Sequence, residues 1–405
     1  MARTWWHRRG RVPCAGSGRG VRLSEAEEIA RRKGEHLKLA AEADVETRTP
    51  AGWDDVQIVH DALPDVDAAD VDLSATFLGR RLRLPLVISG MTGGHGRALA
   101  VNETLARVAE RRGIAIGVGS QRAALRDPKL VPTYSVVRAS APTAFVIANV
   151  GISQLVKQDS EPALGPRDIA QIVSMVKADA LALHLNYLEE SVQPEGQTRA
   201  RGALAAIRAL TRKSRVPVIA KETGAGITKA VALRLRRAGV KAIDVGGVGG
   251  TSFAAVEAMR AAAQSDMARM SLGNRFRDWG LPTAIAVVGT ASVGLPVIAT
   301  GGVRSGLDAA KALALGATIV GVGRPLLQAA LRGEQSVEAW INDFELELRT
   351  AVFLSGVRRA IDLRRVTVVV TGESKQWLDQ LGYRRGAPAR QRKELAELSP
   401  DMSHK

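Results

Sequence analysis

Residues 296–327, PVIATGGVRSGLDAAKALALGATIVGVGRPLL, contain two strand–turn–helix units in tandem. PVIAT (296–300) is a short apolar run, GGVR turns the chain, and GLDAAKALALG carries apolar residues at helical spacing. ATIVGVG (317–323) repeats the device and ends at Arg324 before another helical run. Sequential parallel strands need such helical crossovers. A glycine turn feeding a helix N-terminus offers backbone N–H groups and a positive helix end to an anion. One glycine turn would fit tight helix–strand packing equally well. Two in succession match the loops after strands seven and eight, where many (β/α)8 barrels hold a phosphate.

Working outward from this stretch, six more apolar runs precede it. They are LPLVIS (84–89), IAIGVG (114–119), AFVIA (144–148), ALALHLN (180–186), PVIA (217–220) and AIDV (242–245). Helical segments such as LARVAERR (105–112) and AVALRLRRAG (230–239) separate them. Eight strands in all, spaced by roughly 25–40 residues, predict an α/β TIM (β/α)8 barrel over 84–345, with a doubly wound open sheet as the alternative. Several runs end in chemically useful residues: GMTGG after the first, Asn149 after the third, acids after the fourth, Lys221 after the fifth and GGVGGT (246–251) after the sixth. A barrel places its chemistry on the C-terminal ends of its strands. Lys221 should therefore point into the mouth, where burial calls for an anionic partner; a structural pair with Glu222 is the plainer reading.

Upstream of the barrel, 24–83 reads as an N-terminal extension. SEAEEIARRKGEHLKLAAE (24–42) has Ser24 as N-cap with Glu27 completing a capping box, and Gly34 predicts a break that leaves Arg32, Lys33 and His36 on a mobile segment. The acidic, Pro- and Gly-punctuated stretch 43–83 suits a hairpin or short strands. Downstream, 346–385 reads as C-terminal helices covering one end of the barrel. The basic leader 1–23 and the tail 386–405 are expected to be disordered, and a start position at Val12 or Val21 would remove part of the leader.

The chain has 405 residues, 46% hydrophobic and 24% charged, enough for a large buried core. No apolar run approaches the ~20 residues of a membrane span. The net charge of +16 invites a nucleic-acid reading, but Arg3, Arg8, Arg9, Arg11 and Arg19 sit in the leader. Arg384, Arg385, Arg390, Arg392 and Lys393 cluster near the other end, and no nucleic-acid module accompanies them. The single cysteine, Cys14, allows no internal disulfide and suits a reducing compartment. A soluble cytoplasmic protein with a small-molecule ligand, binding neither nucleic acid nor membrane, is expected.

The motifs RRKGEHLKLA (31–40), GMTGG (90–94), GVGSQRAALRDP (117–128), VIANVG (146–151) and HLNYLEESVQPEG (184–196) follow one another in this order. VIAKETGAGIT (218–228), DVGGVGGTSF (244–253) and TGGVRSGLDAAKALALGA (300–317) complete the series. Together they resemble the type 2 isopentenyl-diphosphate isomerase family, from about residue 30 to 385. That resemblance implies conversion of isopentenyl diphosphate to dimethylallyl diphosphate by acid–base chemistry on reduced FMN. It also implies Mg²⁺, NADPH or NADH as reductant, and a homo-oligomer.

By the same resemblance, Gly90, Met91, Thr92, Ser120, Asn149 and Lys221 contact the flavin. Thr251, Gly301, Gly302, Val303, Arg304, Gly323 and Arg324 enclose its phosphate. Arg32, Lys33, His36, Ser120, Gln121, Arg122, His184 and Glu189 bind the substrate; Glu189, His184 and Asn186 are catalytic, and Glu190 holds the metal. The family pattern HxNxxQE becomes His184-Leu185-Asn186-Tyr187-Leu188-Glu189-Glu190 in this chain, so Glu189 replaces a glutamine. Adjacent carboxylates near a diphosphate repel, which should raise the Glu189 pKa unless a cation compensates. The competing expectations are a family member that has drifted from the reaction and an FMN-dependent barrel oxidoreductase of the hydroxy-acid oxidase or nucleotide dehydrogenase kind.

Overall fold

The computed structural model describes residues 25–159 and 161–384. The leader, the tail and the capping box of Ser24 with Glu27 lie outside the residues whose side chains it describes. Eight parallel strands close into a barrel: β1 (Leu86–Ile88), β2 (Ala115–Gly117), β3 (Val146–Gly151), β4 (Ala180–Leu185), β5 (Val218–Glu222), β6 (Ala242–Asp244), β7 (Val297–Thr300) and β8 (Ile319–Val322). Closure is carried by pairing of β8 with β1, Val320 opposite Leu86 and Val322 opposite Ile88. Each apolar run of the sequence thus became a strand, and the open-sheet alternative is excluded.

Side-chain alternation divides each strand between two cores. Leu86 and Ile88 face the surrounding helices, whereas Val87 points inward with Ile147, Ile219, Ile298 and Ile319. The hairpin Ala75–Phe77/Arg80–Leu82 belongs to this inner core through Phe77 and Leu82, with the Phe77 ring edge-on to Phe145 at 5.7 Å. Leu78 and Gly79 both take positive φ (46° and 84°), as a tight two-residue hairpin turn requires. One end of the barrel interior is therefore filled by apolar side chains, which leaves the opposite, C-terminal end for polar chemistry.

Helix α1 (Glu25–Glu42) lies at that polar end, packed against helices that follow β6 and β8 and against Arg122–Arg126. It runs through Gly34 without a break, so Arg32, Lys33 and His36 share one continuous helix and the expected mobile segment does not exist. Gly34 has open space around its Cα, so it costs only about 1 kcal/mol relative to Ala. Burial of Leu37 and Ala41 on the barrel side of α1 offsets that cost.

The C-terminal segment also departs from expectation. A 20-residue helix, Glu334–Phe353, crosses the boundary expected at 345 and packs against the outer helices Gly306–Leu315, Arg324–Arg332 and Ala98–Arg112. Through these contacts it thickens the helical ring, and a further helix follows at Gly372–Gln380. Val368–Val370 is a strand, antiparallel to Val56–Ile58, where the β-branched run VTVVV outweighs helix propensity. Among the described residues no helix is long and apolar enough to cross a membrane.

Candidate active site

The strand ends and α1 enclose a cavity of ≈ 280 Å³. One wall is made by the loops after β6, β7 and β8. Gly301 and Gly302 both have positive φ (108° and 68°), and a Cβ on either would lie 2.2–2.3 Å from the carbonyl oxygen of Gly247 or Gly249. The two loops interlock at backbone distance, and only glycine permits that approach. Helix α2 (Gly306–Leu315) starts behind this turn with Ser305 accepting the Asp308 N–H, and α3 (Arg324–Arg332) starts at Gly323. Thr251, Val303, Arg304, Gly323 and Arg324 line the cavity beside Gly301 and Gly302, so every residue expected at a phosphate is gathered on this wall.

The two guanidinium groups there meet a carboxylate that the motifs did not reveal. Glu46 Oε2 accepts from Arg304 Nη2 at 2.8 Å and Glu46 Oε1 from Arg324 Nη1 at 2.9 Å. Desolvation works to raise the Glu46 pKa, but these hydrogen bonds and charges overcome it and hold the group below the usual carboxylate range. Arg324 also donates to the carbonyls of Ala40 and Ala43, tying the C-terminal end of α1 to this wall.

The middle of the cavity belongs to β1–β5. Ser89, Gly90, Met91, Thr92, Ser120, Asn149, His184 and Lys221 all line it. Lys221 pairs with Asp244 at the end of β6, Nζ to Oδ2 at 3.0 Å. The pairing with Glu222 does not form, because that carboxylate accepts the backbone N–H groups of Gly224, Ala225 and Gly226. Asn149 Nδ2 donates to the Val118 carbonyl, so Asn149 Oδ1 faces His184 Nδ1 at 2.8 Å. An acceptor at that distance assigns the proton to Nδ1 of a neutral imidazole. Burial, with lesser contributions from Lys221 and Lys33, lowers the His184 pKa to about 3. Gln121 does not line the cavity: it is fully buried beneath, donating to the Ile172 carbonyl and accepting from the Asn149 N–H.

The far wall carries the ionisable side chains. Lys33 spends its three N–H bonds on Ser120 O (2.5 Å), Tyr134 OH (2.7 Å) and Gly93 O (3.1 Å), so it ties α1 to the barrel. Burial, then Arg32 and Arg122, lower its pKa to about 7. Arg122 lines the cavity while bonded to Glu161, and Arg32 lies 3.8 Å from Glu195. His36 Nε2 meets Glu257 Oε1 at 2.6 Å, and Arg260 holds the other Glu257 oxygen at 2.6 Å.

Helix α4 (Tyr187–Val192) follows β4 and supplies the two adjacent acids. Asn186 Nδ2 donates to Glu189 at 2.9 Å and to Glu190 at 3.2 Å; Glu190 also accepts the Gln197 N–H at 2.7 Å. Glu189 has its pKa raised to about 7, first by desolvation and then by Glu257 and Glu190, with His36 and Asn186 opposing. The expected upward shift is therefore present, with burial as its main cause.

Glu46, Asp244, Glu257 and Arg260 were missed from the sequence. A readable signal existed for two of them. In FAAVEAMRAAA (253–263), Glu257 and Arg260 stand three apart in an otherwise apolar helix, the spacing of a buried pair.

Comparison with known proteins adds identity to this geometry. Residues 153–370 match the family model of FMN-dependent dehydrogenases. An isopentenyl-diphosphate delta-isomerase of Methanothermobacter thermautotrophicus is 47% identical over 356 residues, covering 88% of this chain and 97% of the relative. Its counterpart from Archaeoglobus fulgidus is 45% identical over 353 residues, covering 87% and 99%. Among solved structures, mandelate oxidase aligns with a TM-score of 0.54 at 20% identity, over 85% of this chain and 97% of that one. This second likeness speaks for the barrel alone. At the level of sequence, the chain belongs to the isopentenyl-diphosphate delta-isomerase family, on the FMN-dependent dehydrogenase type of barrel.

Proposed function

We propose that this chain converts isopentenyl diphosphate to dimethylallyl diphosphate with FMN, Mg²⁺ and NADPH or NADH, as a cytoplasmic homo-oligomer in isoprenoid biosynthesis. The observation that carries the reading is one cavity with anion-binding groups on two opposed walls: Arg304 and Arg324 with the glycine loops on one, Arg32 and Arg122 on the other. A flavin phosphate and a substrate diphosphate need two such walls.

The residues fit a flavin. Gly301 and Gly302 let the loops after β6 and β7 interlock and so shape this wall of the cavity, and Ser89 Oγ is buried without a partner at the cavity. The loops with Thr251, Val303, Gly323, Arg304 and Arg324 would hold its phosphate, and Gly90–Thr92, Ser120, Asn149 and Lys221 would surround its ring. When bound and reduced, such a ring supplies an electron-rich face and a protonatable nitrogen for acid–base chemistry without net electron use. Glu190, a buried carboxylate at the cavity, fits a hard cation such as Mg²⁺.

The chain's own groups then divide the work. Arg32 and Arg122 neutralise the diphosphate with directional donors, and His36 lines the cavity beside them. Lys33 acts by fixing α1, since its donors are already committed. His184, neutral and locked by Asn149, presents Nε2 for positioning. The walls exclude water from the alkene, whose protonated state is stabilised by surrounding negative charge.

A yellow protein that bleaches anaerobically with NADPH and then interconverts the two five-carbon diphosphates is the expected result. Stoichiometric NADPH consumption with product would instead support the oxidoreductase alternative. Inert wild type beside an active Glu189→Gln variant would show drift from the family reaction. Light scattering tests the oligomer.

A further inference from the structure

Three helices bring one potential metal ligand each to a single point. His36 comes from α1, Glu189 from α4 and Glu257 from Phe253–Ala263; their ligand atoms all lie within 4.8 Å of one another. The carboxylate of Glu189 completes the set: an amide at 189 would leave only His36 and Glu257 as charged or basic donors.

The charges around the cluster are unevenly answered. Arg260 neutralises Glu257 from the side away from His36 and also pairs with Glu35 and Glu195. Glu189 has the Asn186 amide nitrogen, and among the described residues no Lys or Arg forms an ion pair with it. Asn186 is itself 5% exposed, lines the same cavity, and has a side-chain oxygen with no hydrogen-bond partner. A half-buried carboxylate with no Lys or Arg partner, held by an Asn186 side chain whose own buried oxygen lacks a donor, is an environment that a bound cation would satisfy.

We propose that His36, Glu189 and Glu257 form a binding site for a divalent transition-metal ion, distinct from the carboxylate of Glu190. One imidazole nitrogen and two carboxylate oxygens suit Zn²⁺ or Mn²⁺ better than Mg²⁺, which prefers oxygen ligands alone. Bonds to such an ion are about 2.0–2.2 Å, which sets two ligand atoms about 3.0–3.4 Å apart, so His36 Nε2 and Glu257 Oε1 would part by about 0.4–0.8 Å from their present 2.6 Å. Three protein ligands leave a position for water or a phosphate oxygen. The site rests on side-chain geometry and does not depend on the flavin reading.

Purified full-length protein, stripped with chelator, is titrated with Zn²⁺ alone and with Mn²⁺ alone in the absence of diphosphate. Wild type is expected to bind one of these ions, and Glu189→Gln to weaken that binding by more than about a hundredfold, beyond the roughly 10–100-fold that loss of a supporting hydrogen bond costs. His36→Gln should weaken it similarly and Glu190→Gln should leave it within about twofold. Circular dichroism melts confirm that each variant is folded. Retention of wild-type affinity by Glu189→Gln, loss in Glu190→Gln alone, or no binding by folded wild type at 1 mM ion would each overturn the site. Failure to bind FMN in the same preparation would count against the isomerase reading and leave this result untouched.

Discussion

The two walls of the cavity are built by different means. The wall after β6–β8 is built from backbone: glycines at positive φ, loops locked at carbonyl distance, and helix starts, with Arg304 and Arg324 added at its edge. The wall under α1 is built from side chains, with His36, Glu189, Glu257, Arg260 and Glu195 drawn from separate parts of the chain into one network. A backbone wall needs little besides the right turns. A side-chain wall holds only if each buried charge keeps its partner, so the two should fail in different ways.

The largest difference is expected in stability. Arg260→Met leaves Glu257, which has no exposed surface, without its guanidinium and should cost about 3–5 kcal/mol in urea unfolding. Arg304→Met removes a cation that is 48% exposed and should cost no more than about 1 kcal/mol. Equal costs would erase the distinction between the walls.

Next in size is the backbone wall's own weak point. Gly302→Val puts a branched side chain where φ is 68° and Gly249 O stands 2.3 Å from the new Cβ. A loss of about 1–3 kcal/mol is expected, with flavin retention on desalting reduced. Undiminished flavin retention would show that this turn does not shape the flavin's wall.

How far the sequence could be read follows the same division. The barrel, the order of its strands and the glycine loops were legible because β-period runs, turns and helix starts are local patterns. Gly301, Gly302 and Arg324 stand where that reading placed them. Glu46 was not legible, since its meeting with Arg304 and Arg324 spans more than 250 residues of chain. Lys33 was legible as a motif member but not as a tie, because Tyr134 and the Ser120 carbonyl become its neighbours only when α1 docks. Gly34 misled for a related reason: helix propensity marks a weak point, while burial of Leu37 and Ala41 decides whether it breaks.

A smaller effect should come from Glu46. A phosphate arriving at Arg304 and Arg324 meets two guanidinium groups already shared with a carboxylate. Glu46→Gln should therefore tighten FMN by roughly fivefold, about 1 kcal/mol, and leave riboflavin, which lacks the phosphate, unchanged. Fluorescence titration distinguishes this from the opposite case, in which Glu46 serves to aim the arginines and its loss weakens FMN.

The smallest effect expected is an absence of titration where histidine ordinarily titrates. His184 sits between the two walls with its pKa lowered to about 3 by burial, then by Lys221 and Lys33, against 6.5 for a free imidazole. Between those values the unfolded chain binds a proton that the folded chain refuses. The stabilisation from His184 is thus complete above about pH 6.5 and declines as the pH falls toward 3. Nitrogen NMR of labelled protein should show a neutral ring with the proton on Nδ1 throughout pH 5–8, as the contact with Asn149 Oδ1 requires. His184→Gln should correspondingly flatten the fall in unfolding midpoint between pH 6.5 and 4.5. A ring that protonates near pH 6.5 would mean that the cavity floor is wet and the burial assigned to it is wrong, which would weaken both walls as low-dielectric binding surfaces.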